Sequence, residues 1–600
     1  MAVKDTKRDS GKTIQEKANV LWDVANSLAG LYKPHEYGLV ILPMAVVKRF
    51  HDCLLPTYAK VQKEYAAKKH LQVKEAFLKA ASGYNFYNTS KFTFETLLAD
   101  PKNIAANFRD YLNGFSENVR DVLEQMKFED QITTMEKGGV LYQVISDFNS
   151  AKADMSPEKV ATNDMGYIFE NLVARFSESY DEQAGAHFTS RDIIYLMCDL
   201  LTVFGTGAKG ASKTVYDMTM GTSQMLTCME DRLREVDSTI EVTNFGQEFN
   251  PFTFGIAKAD MLIRGGNPDN MRYGNTLSDD KFGGFKFDYV ISNPPFGIDW
   301  KVEAKDVEAE AAKGDAGRFG PGLPSKSDGQ MLFLLNGISK LKDDGRMAII
   351  QNGSSLFSGD AGSGPSEIRR HIIENDWLEA IVQLPNDSFY NTGIATYVWV
   401  VTKSKPKERK GKVQLIDASK CCEPRRKSIG NKRVDITEAC RELIVKAYGD
   451  FKTRNYRFEH GTGGGLSSAR NGSSELLCKS HIFTNRAFGY TKIVVESPLV
   501  EDGKKVMKKG KAVADPSKRD TENVPLGEDI GEYMKREVLP YNPNAWVDGA
   551  KSKVGYEIPF TRTFYEYKKI EPSADIAKRI KEHESRLVAT LDKLFREGGH

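Results

Sequence analysis

The stretch from Phe287 to Phe296 limits the possible folds of this chain more than any other. Phe287-Asp288-Tyr289-Val290-Ile291-Ser292 is short, β-branched and bounded by turn formers, the pattern of a strand buried in a parallel sheet. Asn293-Pro294-Pro295-Phe296 follows at once. Neither proline can donate a ladder hydrogen bond and each fixes φ, so the strand must end there in a rigid turn. That turn lies at the carboxyl edge of the sheet, where open α/β folds hold their ligands. It sets an amide, a backbone carbonyl and an aromatic ring side by side.

This set suits the activation of an exocyclic amine on a planar base. Such an amine is a poor nucleophile because its lone pair is delocalised into the ring. The Asn293 side-chain oxygen and the Pro294 carbonyl can accept both amine hydrogens, and Phe296 can stack on the base as aromatics do with extruded nucleotides. The bland alternative is a strand-ending turn with no further role, since Asn and Pro are turn residues anyway.

The segments before and after this turn supply the rest of a doubly wound domain. A strand at 214–217 runs into Met218-Thr219-Met220-Gly221-Thr222-Ser223 and then a helix at 224–236, the strand–turn–helix of a nucleotide site. Asp217 stands at the strand tip, and Gly221 lets a ligand approach the backbone. The next strand, 240–247, ends at Glu248, where an acid can bind ribose hydroxyls. No G-x-G-x-x-G is present, which favours an adenosine ligand without phosphates, such as S-adenosylmethionine, over a dinucleotide. Residues 207–214 nearly spell a phosphate-binding loop, but Ser212 occupies its second glycine and the segment precedes its strand, so it reads as a polar linker. Upstream, Gly185 to Asp192 forms a turn feeding a helix at 193–201. Thr189 or Ser190 is a natural N-cap there, and His187, Phe188 and Thr189 are candidates for touching the cofactor.

Strands at 346–351, 378–384 and 395–402, with a short strand end near 272–277, complete a seven-strand pattern. The segment 301–327, charged and glycine-rich, is either a solvated insertion or a mobile lid over the reaction site. Residues 1–155 read as a helical N-terminal domain without visible chemistry, with Ala18, Leu21, Ala25 and Leu28 at helical spacing. Residues 156–404 form the catalytic domain. Residues 405–600 are expected to be an α-rich C-terminal extension with insertions at 461–474 and 503–520, closed by a helix at 574–596. Ile576, Ile580, Leu587, Leu591 and Leu594 stripe that helix, a face for its own domain or for a partner helix.

Composition narrows the class. A net charge of +2 excludes a chain that coats polyanions along its whole length, so any nucleic-acid surface must be local or come from a partner. Seven cysteines without a C-x-x-C pair signal neither a disulfide framework nor a zinc site, and no metal is expected. No stretch approaches a membrane span and no leader pattern opens the chain, so a cytoplasmic protein is expected.

Taken together these segments resemble the modification (methylation) subunit of type I restriction–modification systems. The resemblance rests on Glu36-Tyr37-Gly38-Leu39, on Gly246-Gln247-Glu248-Phe249-Asn250, on Asn293-Pro294-Pro295-Phe296 and on Gly555-Tyr556-Glu557-Ile558-Pro559-Phe560. Its motif order is that of N6-adenine methyltransferases. The resemblance implies a Rossmann-like, S-adenosylmethionine-dependent sheet. It implies cofactor contacts at His187, Phe188, Thr189, Asp217, Gly221, Thr222, Ser223 and Glu248, with Asn275 near the pocket. It also implies double-stranded DNA as substrate, a specificity subunit bound by two modification subunits, and a separate restriction subunit. The terminal helix is where the specificity subunit would dock.

The chain departs from the family in two places. Ser223 stands where the cofactor loop usually has a glycine, and Ser190 where proline is usual. Neither removes a charged or catalytic group, so an active enzyme with reduced cofactor affinity is expected. The alternatives are a solitary DNA methyltransferase carrying its own recognition domain, a catalytically degenerate subunit that binds only DNA or a partner, and an enzyme methylating glutamine or RNA bases.

Overall fold

The computed structural model describes residues 7–177, 189–390, 392–457, 477–508, 510–565, 567 and 571–597. The chain divides into two compact units, Met1–Ile558 and Pro559–His600.

The seven expected strands all form: β1 (Ser212–Asp217), β2 (Glu241–Glu248), β3 (Met271–Tyr273), β4 (Phe287–Ser292), β5 (Leu341–Asn352), β6 (Leu378–Gln383) and β7 (Thr396–Thr402). They lie in the order β3-β2-β1-β4-β5-β7-β6. β1 pairs in parallel with β2 and β4, and β4 with β5, whereas β7 runs antiparallel between β5 and β6. Every residue of β4 and β7 is buried, as expected of strands covered on both faces. The chain steps outward from β1 to β3, then returns to place β4 on the other side of β1. The crevice beside the β1 and β4 tips is therefore a topological switch point.

The sheet does not stop at β7. β8 (Lys412–Lys420) pairs in parallel with β6 and antiparallel with β12 (Leu477–Thr484), which pairs with β11 (Arg454–Arg457). β9 (Glu423–Ile429) and β10 (Lys432–Asp435) form a separate hairpin. A further three-stranded sheet joins Asp520–Pro525, Gly489–Glu496 and Trp546–Tyr556. The C-terminal region up to residue 558 is thus richer in strand than expected, its helix content resting mainly on Glu438–Asp450. Lysines at the strand ends mask a short buried run. In β8, Val413, Leu415 and Ile416 are buried while Lys412 and Lys420 are exposed at the ends, and Ile493 and Val495 carry the core of the smaller sheet.

The N-terminal domain is helical as expected. Its central helix, Gly38–Leu54, is buried along almost its whole length and encloses the Lys48–Asp52 ion pair at 2.6 Å. The core of this domain does not close on itself. Ile256, Ala259, Leu262 and Ile263, from the helix Pro251–Ile263 that follows β2, belong to the same apolar cluster.

In the second unit the helix Ser573–Glu597 matches the expected terminal helix, and Ile576, Ile580, Leu587 and Leu591 are all exposed along it. Among the described residues no helix is long and apolar enough to cross a membrane.

Candidate active site

The turns after β1, β2, β3 and β4 converge on a cavity of about 430 Å³. Thr189, Asp217, Gly221, Thr222, Glu248, Asn275, Asn293 and Pro295 all line it, so most of the residues singled out in the sequence meet in one place. Ser223, Pro294 and Phe296 are not part of its wall, and His187 and Phe188 lie outside the described residues.

The turn after β4 is held from across the chain. The Asn293 Nδ2 donates to Thr189 Oγ1 at 2.8 Å, a contact between residues 104 positions apart. The other half of that amide, Asn293 Oδ1, is buried and has no hydrogen-bond partner. A buried acceptor left unsatisfied costs about 1–3 kcal/mol, so its presence in a cavity wall marks a place made for a donor. Thr189 spends its hydroxyl on Asn293, and Ser190, at the N-cap of Arg191–Thr202, makes no capping bond. The capping role expected of these two residues is therefore not the one they play. Phe296 is half-buried and stands edge-on to Phe389, with ring centroids 6.4 Å apart.

The turn after β1 is built around two carboxylates. Asp217 is buried, and its Oδ1 accepts from the Ser292 hydroxyl at 2.6 Å and from the Thr219 N–H at 3.0 Å. Burial pushes its carboxyl up to about 7; the Ser292 and Thr219 hydrogen bonds oppose that rise and the charge of Glu248 adds to it. Ser292, unremarked in the sequence, thereby ties the β4 tip to the β1 tip. Its only signal is a hydroxyl closing a largely apolar strand. Glu248 accepts from the Gly221 N–H at 2.8 Å and the Asn250 N–H at 2.7 Å, so it braces the glycine turn as well as facing the cavity. Gly246, in β2, is needed for close approach, because a Cβ there would sit 2.1 Å from Met220 Sδ. Ser223 adopts φ +67, the left-handed region that favours glycine, with its hydroxyl buried and unpartnered.

The insertion 301–327 is not a loose lid. Arg318 binds Glu310 through two bonds of 2.8 and 2.6 Å and donates to the carbonyls of Thr276 and Leu277 and to Asn336 Oδ1. Phe319 within it and the adjoining Trp300 are buried. The insertion is thus locked to the turn after β3, and its Glu303 accepts from Asn275 Nδ2 at 2.8 Å while lining the cavity. Charge in a glycine-rich loop reads as solvation, and only the long-range Arg318 contacts reveal otherwise. Phe249, 65% exposed, and Tyr273 add aromatic surface at the wall, and sequence patterns assign a role to neither.

The donor set tests the expected cofactor. The wall holds three carboxylates, Asp217, Glu248 and Glu303, and no lysine, arginine or histidine among the described residues. Such a site has nothing to neutralise a phosphate but suits hydroxyls and a positively charged centre. Methionines 218, 220 and 225 supply adaptable apolar contact. An adenosine ligand with a cationic sulfonium fits.

Comparison with known proteins agrees with this geometry. Residues 160–462 match the N-6 DNA Methylase family model, more than half of the chain, and residues 17–148 match the HsdM N-terminal domain. The chain belongs to the N-6 DNA methylase family. The methyltransferase class read from the motif order, with S-adenosylmethionine as methyl donor, is that of this family. The chain is 28% identical over 289 residues to the type I restriction enzyme MjaIX methylase subunit of Methanocaldococcus jannaschii, covering 48% of this chain and 49% of that one. It is 29% identical over 257 residues to the HindI methylase subunit of Haemophilus influenzae, covering 42% and 54%. The chain therefore spans about half the length of these curated relatives. In fold it is similar to the type I restriction–modification methyltransferase subunit of Streptococcus thermophilus, with a TM-score of 0.58 and 24% identity over 72% of this chain and 93% of that one.

Proposed function

We propose that this chain is the modification subunit of a type I restriction–modification system and methylates the N6 amine of adenine in double-stranded DNA. The observation that carries the reading is the buried, unpartnered Asn293 Oδ1 in the wall of a cavity that holds no basic group among the described residues. S-adenosylmethionine, when bound, supplies an electrophilic methyl group. Asp217, Glu248 and Asn275 would hold it, with the Gly221 backbone allowing its approach.

The target adenine is rotated out of the duplex. Asn293 Oδ1 and the Pro294 carbonyl accept the two hydrogens of its amine, and Phe296 stacks on the ring. Thr189 fixes the amide so that its oxygen is the half left free. Positioning supplies much of the acceleration, and the two acceptors stabilise charge developing on the amine.

The reading extends to partners. Such a subunit works in the cytoplasm, where the DNA is, with a specificity subunit that reads a split site and a separate restriction subunit, two modification subunits to each specificity subunit. The exposed stripe of Ile576, Ile580, Leu587 and Leu591 suits docking on the specificity subunit's helices.

Modification-sensitive long-read sequencing of DNA from cells expressing the chain with its native neighbours tests this, against Asn293→Ala. N6-methyladenine in a split motif, lost in the variant, is expected. A short continuous motif would instead identify a solitary methyltransferase, and full activity of the variant would sink the assignment.

A further inference from the structure

The β9–β10 hairpin carries an unusual concentration of charge. Its residues 423–435 hold Arg425, Arg426, Lys427, Lys432 and Arg433 against only Glu423 and Asp435. Two of the cations are used internally. Lys432, 1% exposed, donates to Asp192 Oδ2 at 2.9 Å and to the Ser388 carbonyl at 3.1 Å, while Arg425 pairs with Asp435. Arg426, Lys427 and Arg433 are exposed, and none pairs with a carboxylate among the described residues.

The position of the hairpin matters as much as its charge. The N–H groups of Asn431 and Arg433 donate to the carbonyls of Tyr390 and Asp387 at 2.8 and 2.9 Å. Both belong to the loop between β6 and β7, the same loop whose Phe389 stands against Phe296. On the other side, Asp192 binds Lys432 and also accepts from the Ile436 N–H at 2.8 Å, three residues beyond the Thr189 that holds Asn293. The hairpin is thus fastened to both segments that position the Asn-Pro-Pro-Phe turn.

We propose that this hairpin clamps the phosphate backbone of DNA beside the extruded base, with Arg426, Lys427 and Arg433 as its phosphate-binding cations. The inference rests on the methyltransferase reading above and adds to it the element of this chain that grips the substrate. Contacts of this kind set position and register and carry no sequence information, which fits a chain whose overall charge is only +2.

The test uses the full chain and a fluorescent duplex of unrelated sequence, with binding followed by anisotropy across a potassium chloride series. The variants are R426A/K427A/R433A and the charge-keeping R426K/R433K; Lys432 and Arg425 stay in place so that the hairpin keeps its anchors. Each lost phosphate contact lowers the slope of log K against log salt by about 0.9, so the triple variant should lose roughly 2 to 3 in slope and about tenfold or more in affinity near 0.1 M salt. The lysine variant should keep most of both. An unchanged slope in the triple variant overturns the proposal, as does a wild-type chain without salt-dependent affinity for the duplex. Calorimetric titration of the same preparations with S-adenosylmethionine separates the two readings. Cofactor binding unchanged in the triple variant is expected, whereas a wild type that binds the duplex but not the cofactor would fail the methyltransferase reading and leave the clamp standing.

Discussion

The turns after β1 and β4 each contain a buried oxygen without a hydrogen-bond partner, and the two oxygens mean different things. Asn293 Oδ1 belongs to a residue in the cavity wall, on a turn stiffened by two prolines and pinned by Thr189. Ser223 Oγ belongs to a residue outside the wall, in a left-handed backbone conformation that favours glycine. The first oxygen is a vacancy for a donor, and the second is strain. An unsatisfied atom is evidence of function only where the surrounding geometry brings a ligand to it.

Substitutions at the two turns should therefore separate sharply. The largest effect is expected from Asn293→Ala, a loss of methyl transfer of about 100-fold to 1,000-fold with S-adenosylmethionine affinity nearly unchanged, measured by turnover and calorimetry. A comparable loss of cofactor binding would erase the distinction drawn here. Next comes Asp217→Asn, which probes the bridge between the turns. The Asp217 pKa is about 7 in the folded chain against 3.8 for a free group, so ionisation costs stability as pH rises through that window and the cost is full above it. The neutral variant should melt higher than wild type at about pH 8, with the gap closing toward about pH 4. A constant gap would show that the carboxyl is not the group responsible. Thr189→Val removes one neutral hydrogen bond, worth about 0.5–1.5 kcal/mol, and should slow transfer by roughly tenfold without moving the melting temperature much. Smallest is Ser223→Gly. Relief of the left-handed conformation and of the buried hydroxyl should raise stability by about 1 kcal/mol, seen as a later urea midpoint. A transfer rate that also rose would tie the strain to the chemistry after all.

Much of the site was readable from local patterns. Asn293, Asp217, Gly221 and Glu248 each end a strand or open a turn, and such positions announce themselves through apolar runs and turn formers. The contacts that make those residues a site were not readable. Thr189 reaching Asn293, Ser292 reaching Asp217 and Arg318 fastening the insertion beside Asn275 are all pairings of residues distant in sequence, with no local signature. The fold divides in the same way. β4, β6 and β7 were visible because strands buried on both faces read as apolar runs, and β1, β2 and β5 through the apolar or turn-forming residues at their inner ends. β8, β11 and β12 join the same sheet from a polar stretch whose apolar residues are few, and their partners are set by tertiary packing.

The helix Pro251–Ile263 gives the chain a property that its modular layout hides. Its first turn is capped by Asn250 beside Glu248, and its far face completes the apolar interior of the helical front. A catalytic domain begun at residue 156 would leave Ile256, Leu262 and Ile263 uncovered on the element that carries one wall of the cavity. The two parts differ in chemistry but share one apolar interior, and the helical front serves as a scaffold for the enzyme behind it.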